Sequence, residues 1–189
     1  MEESLRRFWE AVCDELLAAY HLFNDADTPF IRRTFVRTAF AVIEGVISFL
    51  KAYALSKLPS EDVTPAEAAM LREESFTLDD RGRAQVQPKF VPLDTNIRFA
   101  FSMFGRAVGR KIELDTSGPE WRQFRAAITV RNRLVHPRGI RDLEVSDEEL
   151  ECARAAANWI LIVLVKALVA QVRELREEEE RLRRRLKQS

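Results

Sequence analysis

Apolar residues recur at helical spacing along most of the chain, and this pattern predicts a series of long helices. Over residues 3–23 they form one stripe, as in an amphipathic helix. A second helix is predicted to begin after Thr28, a favourable N-cap, with Pro29 at its first position. The apolar pattern continues to about Leu58, and Pro59 is expected to end the helix there.

Three more helices are predicted in the second half of the chain. One covers about 94–108 and another covers 119–135. The last begins at the capping box of residues 146–149 and continues to the C-terminus. Its most apolar run, 159–165, is too short to span a membrane and is expected to be buried on all sides. These elements predict an all-α fold, an up-down helical bundle of four to five main helices.

Residues 59–93 have a different character and contain four of the seven prolines. A capping box at 64–67 predicts a short helix, and residues 76–86 have the pattern of a small β-hairpin with Gly82 in its turn. We interpret 59–93 as a surface insertion in a helical domain of residues 1–170. The remainder, 171–189, is predicted to be a charged helical extension. Its apolar spacing fits either a short coiled-coil seam or a solvated helix end; the seam positions are Val172, Leu175, Leu182 and Leu186.

Composition narrows the range of functions. The 30 basic and 30 acidic residues cancel, which argues against a general nucleic-acid coat protein with a large basic excess. Cys13 and Cys152 are too few and too far apart for a disulfide framework or a zinc cluster, as in a reducing compartment. The amphipathic start of the chain does not have the pattern of a signal peptide. We therefore expect a cytoplasmic protein that does not enter a membrane.

The segment RNRLVHP, Arg131 to Pro137, carries the most distinctive chemistry. On a helix from Pro119, Arg131 falls in the apolar stripe, and Asn132 lies four positions before His136, where its side chain can orient the imidazole. Pro137 disfavours the helical conformation of the residue before it, so His136 is expected in the turn after the helix. A permanent cation beside a side chain that exchanges protons near neutral pH is a minimal set for attacking a phosphodiester without a metal.

An arginine in an apolar stripe needs a partner, because an unpaired buried charge is costly. Glu44 stands among apolar residues of the second predicted helix, and Arg33 and Arg37 share its face. We hypothesise that this face meets the helix of Arg131 and that Glu44 positions Arg131 or Arg37. Residues 119–141 contain six arginines and one acid, an excess that favours an anionic ligand.

The chain resembles the HEPN superfamily of small helical domains. The resemblance rests on RNRLVHP, supported by RRTFVRTAFAVIEGV in the second helix and VSDEELECARAAANWILIVLV in the last. It implies a metal-independent endoribonuclease, often a toxin or a phage-defence protein with an antitoxin or regulatory partner. Members dimerise so that two motifs face one cleft. The resemblance implies that Arg131 and His136 are the catalytic pair and that Asn132 is the polar residue that follows the arginine in the family's motif. Other members of the superfamily are non-catalytic binding or dimerisation modules.

RNA chemistry agrees with the resemblance. The 2′-hydroxyl is the nucleophile, so an enzyme needs a base, an acid and a cation for the developing charge. One chain supplies one suitable histidine, because His21 lies in the first helix without a visible partner; a symmetric homodimer supplies two. No metal-ligand spacing, phosphate loop or cofactor motif occurs, so we expect neither metal nor cofactor. The predicted RNA contacts are Arg33, Arg122, Arg125, Arg133 and Arg138.

The predicted helical fold is also compatible with two alternative functions. One is a non-catalytic HEPN-like dimeric module that binds a nucleotide, RNA or a partner protein through the same cleft. The other is a structural helical protein whose C-terminal extension recruits a partner.

Overall fold

The computed structural model of the protein describes residues 2–186 and is mostly helical. Its six α-helices are α1 (Glu2–Asp25), α2 (Pro29–Lys57), α3 (Pro65–Leu71), α4 (Leu93–Ala107), α5 (Pro119–Val135) and α6 (Asp147–Leu186). One antiparallel hairpin joins β1 (Glu74–Leu78) to β2 (Ala84–Pro88), with Phe76 opposite Val86. The predicted helical class with one small hairpin is therefore confirmed.

The helix starts coincide with the caps that the sequence predicts. Thr28 accepts a backbone hydrogen bond at the start of α2. At α3, Thr64 and Glu67 form both bonds of a capping box. At α6, the Ser146 hydroxyl accepts from the Glu149 N–H at 3.2 Å, and the Glu149 carboxylate accepts from the Ser146 N–H at 3.0 Å. These bonds satisfy N–H groups that the first turn of a helix leaves unpaired.

Helix α2 is the centre of the fold, since α1, α4, α5 and α6 all pack against it. Its side chains Phe40, Ile43 and Leu50 are almost completely buried, together with Phe104 of α4 and Phe124 of α5. Burying a side chain of this size contributes about 1.5–3 kcal/mol. The side of α2 that contacts α5 is the one that carries Glu44.

The prediction that the apolar part of α6 is buried on all sides is wrong. Helices α2 and α5 cover only part of its circumference. An apolar stripe is left between 44% and 55% exposed; it consists of Ile162, Val165, Val169 and Val172. Apolar composition does not reveal how many neighbours a helix has. The remaining positions of the predicted seam, Leu175, Leu182 and Leu186, have side chains outside the described residues.

Within residues 2–186, two helices are long and apolar enough to cross a membrane by length and composition alone. In Pro29–Lys57, 56% of the apolar window is buried inside the protein, and in Asp147–Arg173 the share is 22%. The first is the core helix α2. The second shows that the apolar part of α6 is longer than the run 159–165 singled out in the sequence.

The insertion is fastened to the helices through Glu73, directly before β1. The Glu73 carboxylate accepts from Lys51 Nζ at 2.8 Å and from Asn96 Nδ2 at 3.0 Å. Lys51 of α2 and Asn96 of α4 are buried, with exposures of 3% and 7%. The hairpin beyond this anchor is exposed on the face that carries Phe76 and Val86. The insertion therefore has a fixed base and a solvent-facing hairpin.

Candidate functional site

Arg131 lies on the side of α5 that faces α2, and Glu44 holds its guanidinium. Arg131 Nη2 donates to Glu44 Oε1 at 2.5 Å, and Arg131 Nη1 donates to Asn132 Oδ1 at 3.2 Å. The side chains of Arg131 and Glu44 are 27% and 44% exposed. A pair this accessible to water stabilises a fold by at most about 1 kcal/mol. Its main effect is to orient the guanidinium, and the predicted contact between Glu44 and Arg131 is present.

A cleft of about 530 Å³ opens beside this pair, between α2, α5 and the segment 89–94 that precedes and begins α4. Its lining residues are Glu44, Ile47, Ser48, Glu73, Lys89, Phe90, Val91, Pro92, Leu93, Asp94, Asn96, Arg125, Ile128, Thr129, Arg131 and Asn132. Both apolar and polar groups line it, including two arginines of α5. Arg131 is therefore within reach of a ligand that occupies the cleft.

His136 leaves the helical conformation, as Pro137 predicts. Its φ and ψ are −124° and 60°, although its backbone N–H still donates to the Asn132 carbonyl at 3.1 Å. The residue is exposed and lies outside the lining of the cleft that contains Arg131. One chain thus places the two residues of the motif in different surroundings.

The predicted hydrogen bond from Asn132 to the imidazole is not formed among the described residues. The Asn132 side-chain oxygen accepts from Arg131 instead. The two side chains are adjacent on the helix and both reach the cleft, whereas His136 lies beyond the last helical residue. Asn132 therefore belongs to the surroundings of Arg131 and does not orient the histidine in this structure.

Arg37 and Arg33 bind backbone carbonyls on the two sides of the turn that follows α5, in the last turn of α5 and at Leu143. Arg37 Nη2 donates to the Leu134 carbonyl at 3.1 Å, and Arg33 Nη1 donates to the Leu143 carbonyl at 3.2 Å. A cation near the C-terminus of a helix also complements the helix dipole. Arg37 is therefore a support of the segment carrying His136, and the acid Glu44 is directed to Arg131 rather than to Arg37.

Arg133 faces away from the cleft and joins α5 to α6. Its Nη1 and Nη2 atoms donate to the two carboxylate oxygens of Glu149 at 2.8 and 2.9 Å. It also donates to the carbonyls of Asp142, at 3.2 Å, and Glu144, at 2.5 Å. The hydrogen bonds from Arg133 lower the pKa of Glu149 despite partial burial. Four hydrogen bonds direct this guanidinium into the protein.

The other predicted RNA contacts are exposed. Arg122 Nη1 donates to the Ser117 carbonyl at 3.1 Å. The backbone N–H of Arg138 donates to Asp142 Oδ2 at 2.7 Å. Arg125 lines the cleft and its side chain makes no hydrogen bond or ion pair with the described residues. Among these three, Arg125 alone shares the cleft with Arg131.

Three residues of the cleft were not predicted from the sequence as site residues. Phe90 is 87% exposed, Lys89 precedes it, and Asn96 is a buried polar residue whose side-chain oxygen has no partner among the described atoms. Phe90 stands between Pro88 and Pro92, outside any helical stripe. An aromatic residue in such a position is a sequence signal that its side chain is exposed. Its position in the cleft depends on the path of the segment, which spacing does not reveal.

No family model, curated protein or solved structure matches the chain. Among the described residues, no group of three or more His, Cys, Asp or Glu side chains is arranged to hold a metal ion. The chemistry of the site is that of a guanidinium held by a carboxylate, with an amide beside it and an exposed imidazole at the end of the same helix.

Proposed function

We propose that the protein is a metal-independent endoribonuclease of HEPN type that cleaves RNA in a cleft completed by two chains. The observation that carries this proposal is the orientation of Arg131, whose guanidinium is held by Glu44 at the wall of an open cleft. A preorganised cation at a cleft is the arrangement that stabilises charge developing on a phosphate.

The reaction needs no group beyond the RNA and these side chains. One imidazole removes the proton of a 2′-hydroxyl, and the oxygen attacks the adjacent phosphorus. Arg131 stabilises the negative charge on the phosphorus oxygens. A second imidazole gives a proton to the departing 5′-oxygen. The products are a 2′,3′-cyclic phosphate and a 5′-hydroxyl, and the two imidazoles have exchanged protonation states.

A homodimer supplies both imidazoles. His136 is exposed and lies outside the cleft that Arg131 lines in its own chain, which favours its use in a site shared with a second copy. We further propose that the long helices form the up-down bundle of HEPN domains. The proposal also covers a cytoplasmic toxin or defence protein without membrane attachment, held in check by an antitoxin or regulatory protein.

The roles of the arginines follow from their contacts. Arg125 in the cleft and the exposed Arg122 and Arg138 are proposed to contact RNA phosphates. Arg33 and Arg133 direct hydrogen bonds to protein carbonyls, so we propose that they stabilise the fold rather than bind RNA. Arg37, which donates to the Leu134 carbonyl, is proposed to have the same role.

The second candidate is a non-catalytic HEPN-like dimeric module that binds a nucleotide, RNA or a partner protein. The observation that favours it is the separation of His136 from the cleft, since binding requires the cleft alone.

The test is cleavage of a mixed RNA in EDTA by the parent protein, Arg131→Ala and His136→Ala, with His21→Ala as a matched control on α1. We expect metal-independent products with 2′,3′-cyclic ends, lost in the first two variants and kept in the control. If the parent does not cleave RNA even at high protein concentration, the ribonuclease is ruled out and the binding module is favoured.

A further inference from the structure

Phe90 is the most exposed large apolar side chain of the described residues, with 87% of its surface accessible. It lies in the short connection between β2 and α4, and it lines the cleft that contains Arg131. A single exposed apolar residue is ordinary on a protein surface. An aromatic ring held open beside an arginine-lined cleft is a more specific arrangement.

The connection that carries Phe90 is anchored. The Lys89 N–H donates to the Glu73 carbonyl at 2.7 Å. Glu73 itself has a φ of 56°, a left-handed conformation that costs a side-chain-bearing residue about 1 kcal/mol. Its carboxylate is bound to the buried Lys51 and Asn96. Phe90 therefore follows a fixed point of the backbone, and a ligand that packs on its ring need not order the segment first.

The charge of Glu73 is maintained by the same contacts. Burial raises the pKa of Glu73, but the hydrogen bonds from Lys51 and Asn96 outweigh it, and the net pKa is lowered. The carboxylate is thus ionised near neutral pH, and the anchor beneath Phe90 is intact there.

Two cations of the cleft have side chains without a hydrogen bond or ion pair among the described residues, Lys89 and Arg125. No acid of the cleft forms an ion pair with either of them among the described residues. Glu44 and Glu73 are bound to other cations, and Asp94 accepts from a backbone N–H at 2.9 Å. The donors of Lys89 and Arg125 are therefore available to an anion.

We propose that Phe90 is a stacking platform for a base of single-stranded RNA, with Lys89 and Arg125 contacting the neighbouring phosphates. An aromatic face combined with cationic side chains is the chemistry that binds single strands, since every base offers a flat face. Bases inside a duplex are stacked on one another and cannot reach the ring. The proposal rests on the proposed function, because it assigns to the insertion the task of holding the strand beside Arg131.

Binding is measured with a fluorescently labelled 2′-O-methyl RNA oligonucleotide in EDTA, by anisotropy. This probe lacks the 2′-hydroxyl, so its binding is independent of cleavage. Phe90→Ala is expected to weaken binding about 5- to 100-fold, and Phe90→Trp to preserve it. The matched control is Phe76→Ala, which removes a 64% exposed phenylalanine of β1 outside the cleft and is expected to leave binding unchanged.

The cations are tested by the salt dependence of the same binding. Lys89→Ala and Arg125→Ala are each expected to reduce the slope of log affinity against log salt by about 0.7, the value for one lost contact with a single strand. Lys111→Ala is the control, because Lys111 is exposed, lies outside the cleft and pairs with Glu113. A duplex of the same length is expected to compete at least about tenfold less well than the single strand.

The outcomes separate this inference from the ribonuclease itself. If Phe90→Ala binds the probe as tightly as the parent, or if Phe76→Ala loses as much affinity, the stacking platform is ruled out even when Arg131 and His136 prove essential for cleavage. If the parent cleaves no RNA while Phe90→Ala still loses binding, the platform stands and the ribonuclease fails. A duplex that binds as tightly as the single strand also overturns the platform.

Discussion

Arg131 and Arg133 are two positions apart on α5, yet their guanidinium groups have opposite surroundings. Arg131 faces the cleft and is held by one carboxylate oxygen of Glu44, at 2.5 Å. Arg133 faces α6 and donates to both oxygens of Glu149 and to two backbone carbonyls. Two steps along a helix rotate a side chain by about 200°, so neighbouring arginines reach different sides of the fold.

This difference in partners leaves the guanidinium of Arg131 available to a ligand, whereas the guanidinium of Arg133 stabilises the fold. A guanidinium has five N–H donors, and Arg133 makes four hydrogen bonds to protein acceptors. Arg131 is oriented by few contacts and lines an open cleft, so it has donors left for a phosphate. The same residue type in one short motif thus has two different sets of partners, and our proposal assigns a different role to each arginine.

The largest expected effect is on cleavage. Replacing Arg131 by Lys keeps the charge but loses the planar fork, and we expect the rate of metal-free RNA cleavage to fall about 100-fold. Arg133→Lys is the matched control, expected to stay within about threefold of the parent because Arg133 touches no reacting group. Initial rates in EDTA, measured below the unfolding transition, check this. Equal losses of cleavage rate in the two variants would contradict the different roles that we assign to Arg131 and Arg133.

The second effect is on stability, and here we expect the substitution of Arg133 to have a larger effect than the substitution of Arg131. Arg133→Ala removes donors from Glu149 and two carbonyls, so we expect the free energy of unfolding to fall by about 2 kcal/mol. Arg131→Ala leaves Glu44 accessible to water and is expected to cost less than about 1 kcal/mol. Urea unfolding of the two variants measures both values. A greater loss for Arg131→Ala contradicts the assignment of roles.

Glu44 tests whether orientation of Arg131 matters apart from its presence. Glu44→Gln keeps the shape but weakens the charged hydrogen bond, and we expect cleavage to fall about tenfold with the free energy of unfolding changed by less than about 1 kcal/mol. Glu120→Gln, an acid in the first turn of α5, serves as control. Unchanged cleavage by Glu44→Gln would contradict the proposed role of Glu44 in orienting Arg131.

The smallest expected effect is the pH dependence of the stability that Glu149, the partner of Arg133, contributes. The hydrogen bonds from Arg133 lower the pKa of Glu149 in the folded state. A lowered folded pKa means that the carboxylate stabilises the fold above the ordinary glutamate value of about 4.3, and that this contribution is lost as the pH falls through the folded pKa. The stability difference between parent and Glu149→Gln is therefore expected to be constant near neutrality and to shrink below about pH 4.3. A difference that grows on acidification contradicts the sign.

Local signals in the sequence predict the elements and one contact of the site. Caps and prolines fix where the helices begin and where His136 leaves the helix, because they act on neighbouring backbone atoms. The contact between Glu44 and Arg131 is predictable because each is a lone charge in an apolar stripe, and each needs a partner.

Other features depend on groups that spacing does not show. Arg37 donates to the Leu134 carbonyl. Because every residue has a backbone carbonyl, the sequence does not indicate which one an arginine will bind. The exposed side of α6 is set by the number of neighbouring helices, which apolar composition does not report. Phe90 enters the cleft because Glu73 anchors the backbone before it, a contact between main-chain atoms.

The most direct test of the account is whether two chains share one site. Parent protein and His136→Ala are mixed in equal amounts, allowed to exchange subunits, and assayed for RNA cleavage in EDTA. If each site needs an imidazole from both chains, the mixture is expected to show about half the activity of the two proteins assayed separately and added, since mixed dimers are inactive. Activity equal to that sum, or a parent protein that cleaves as a monomer, would contradict the shared site.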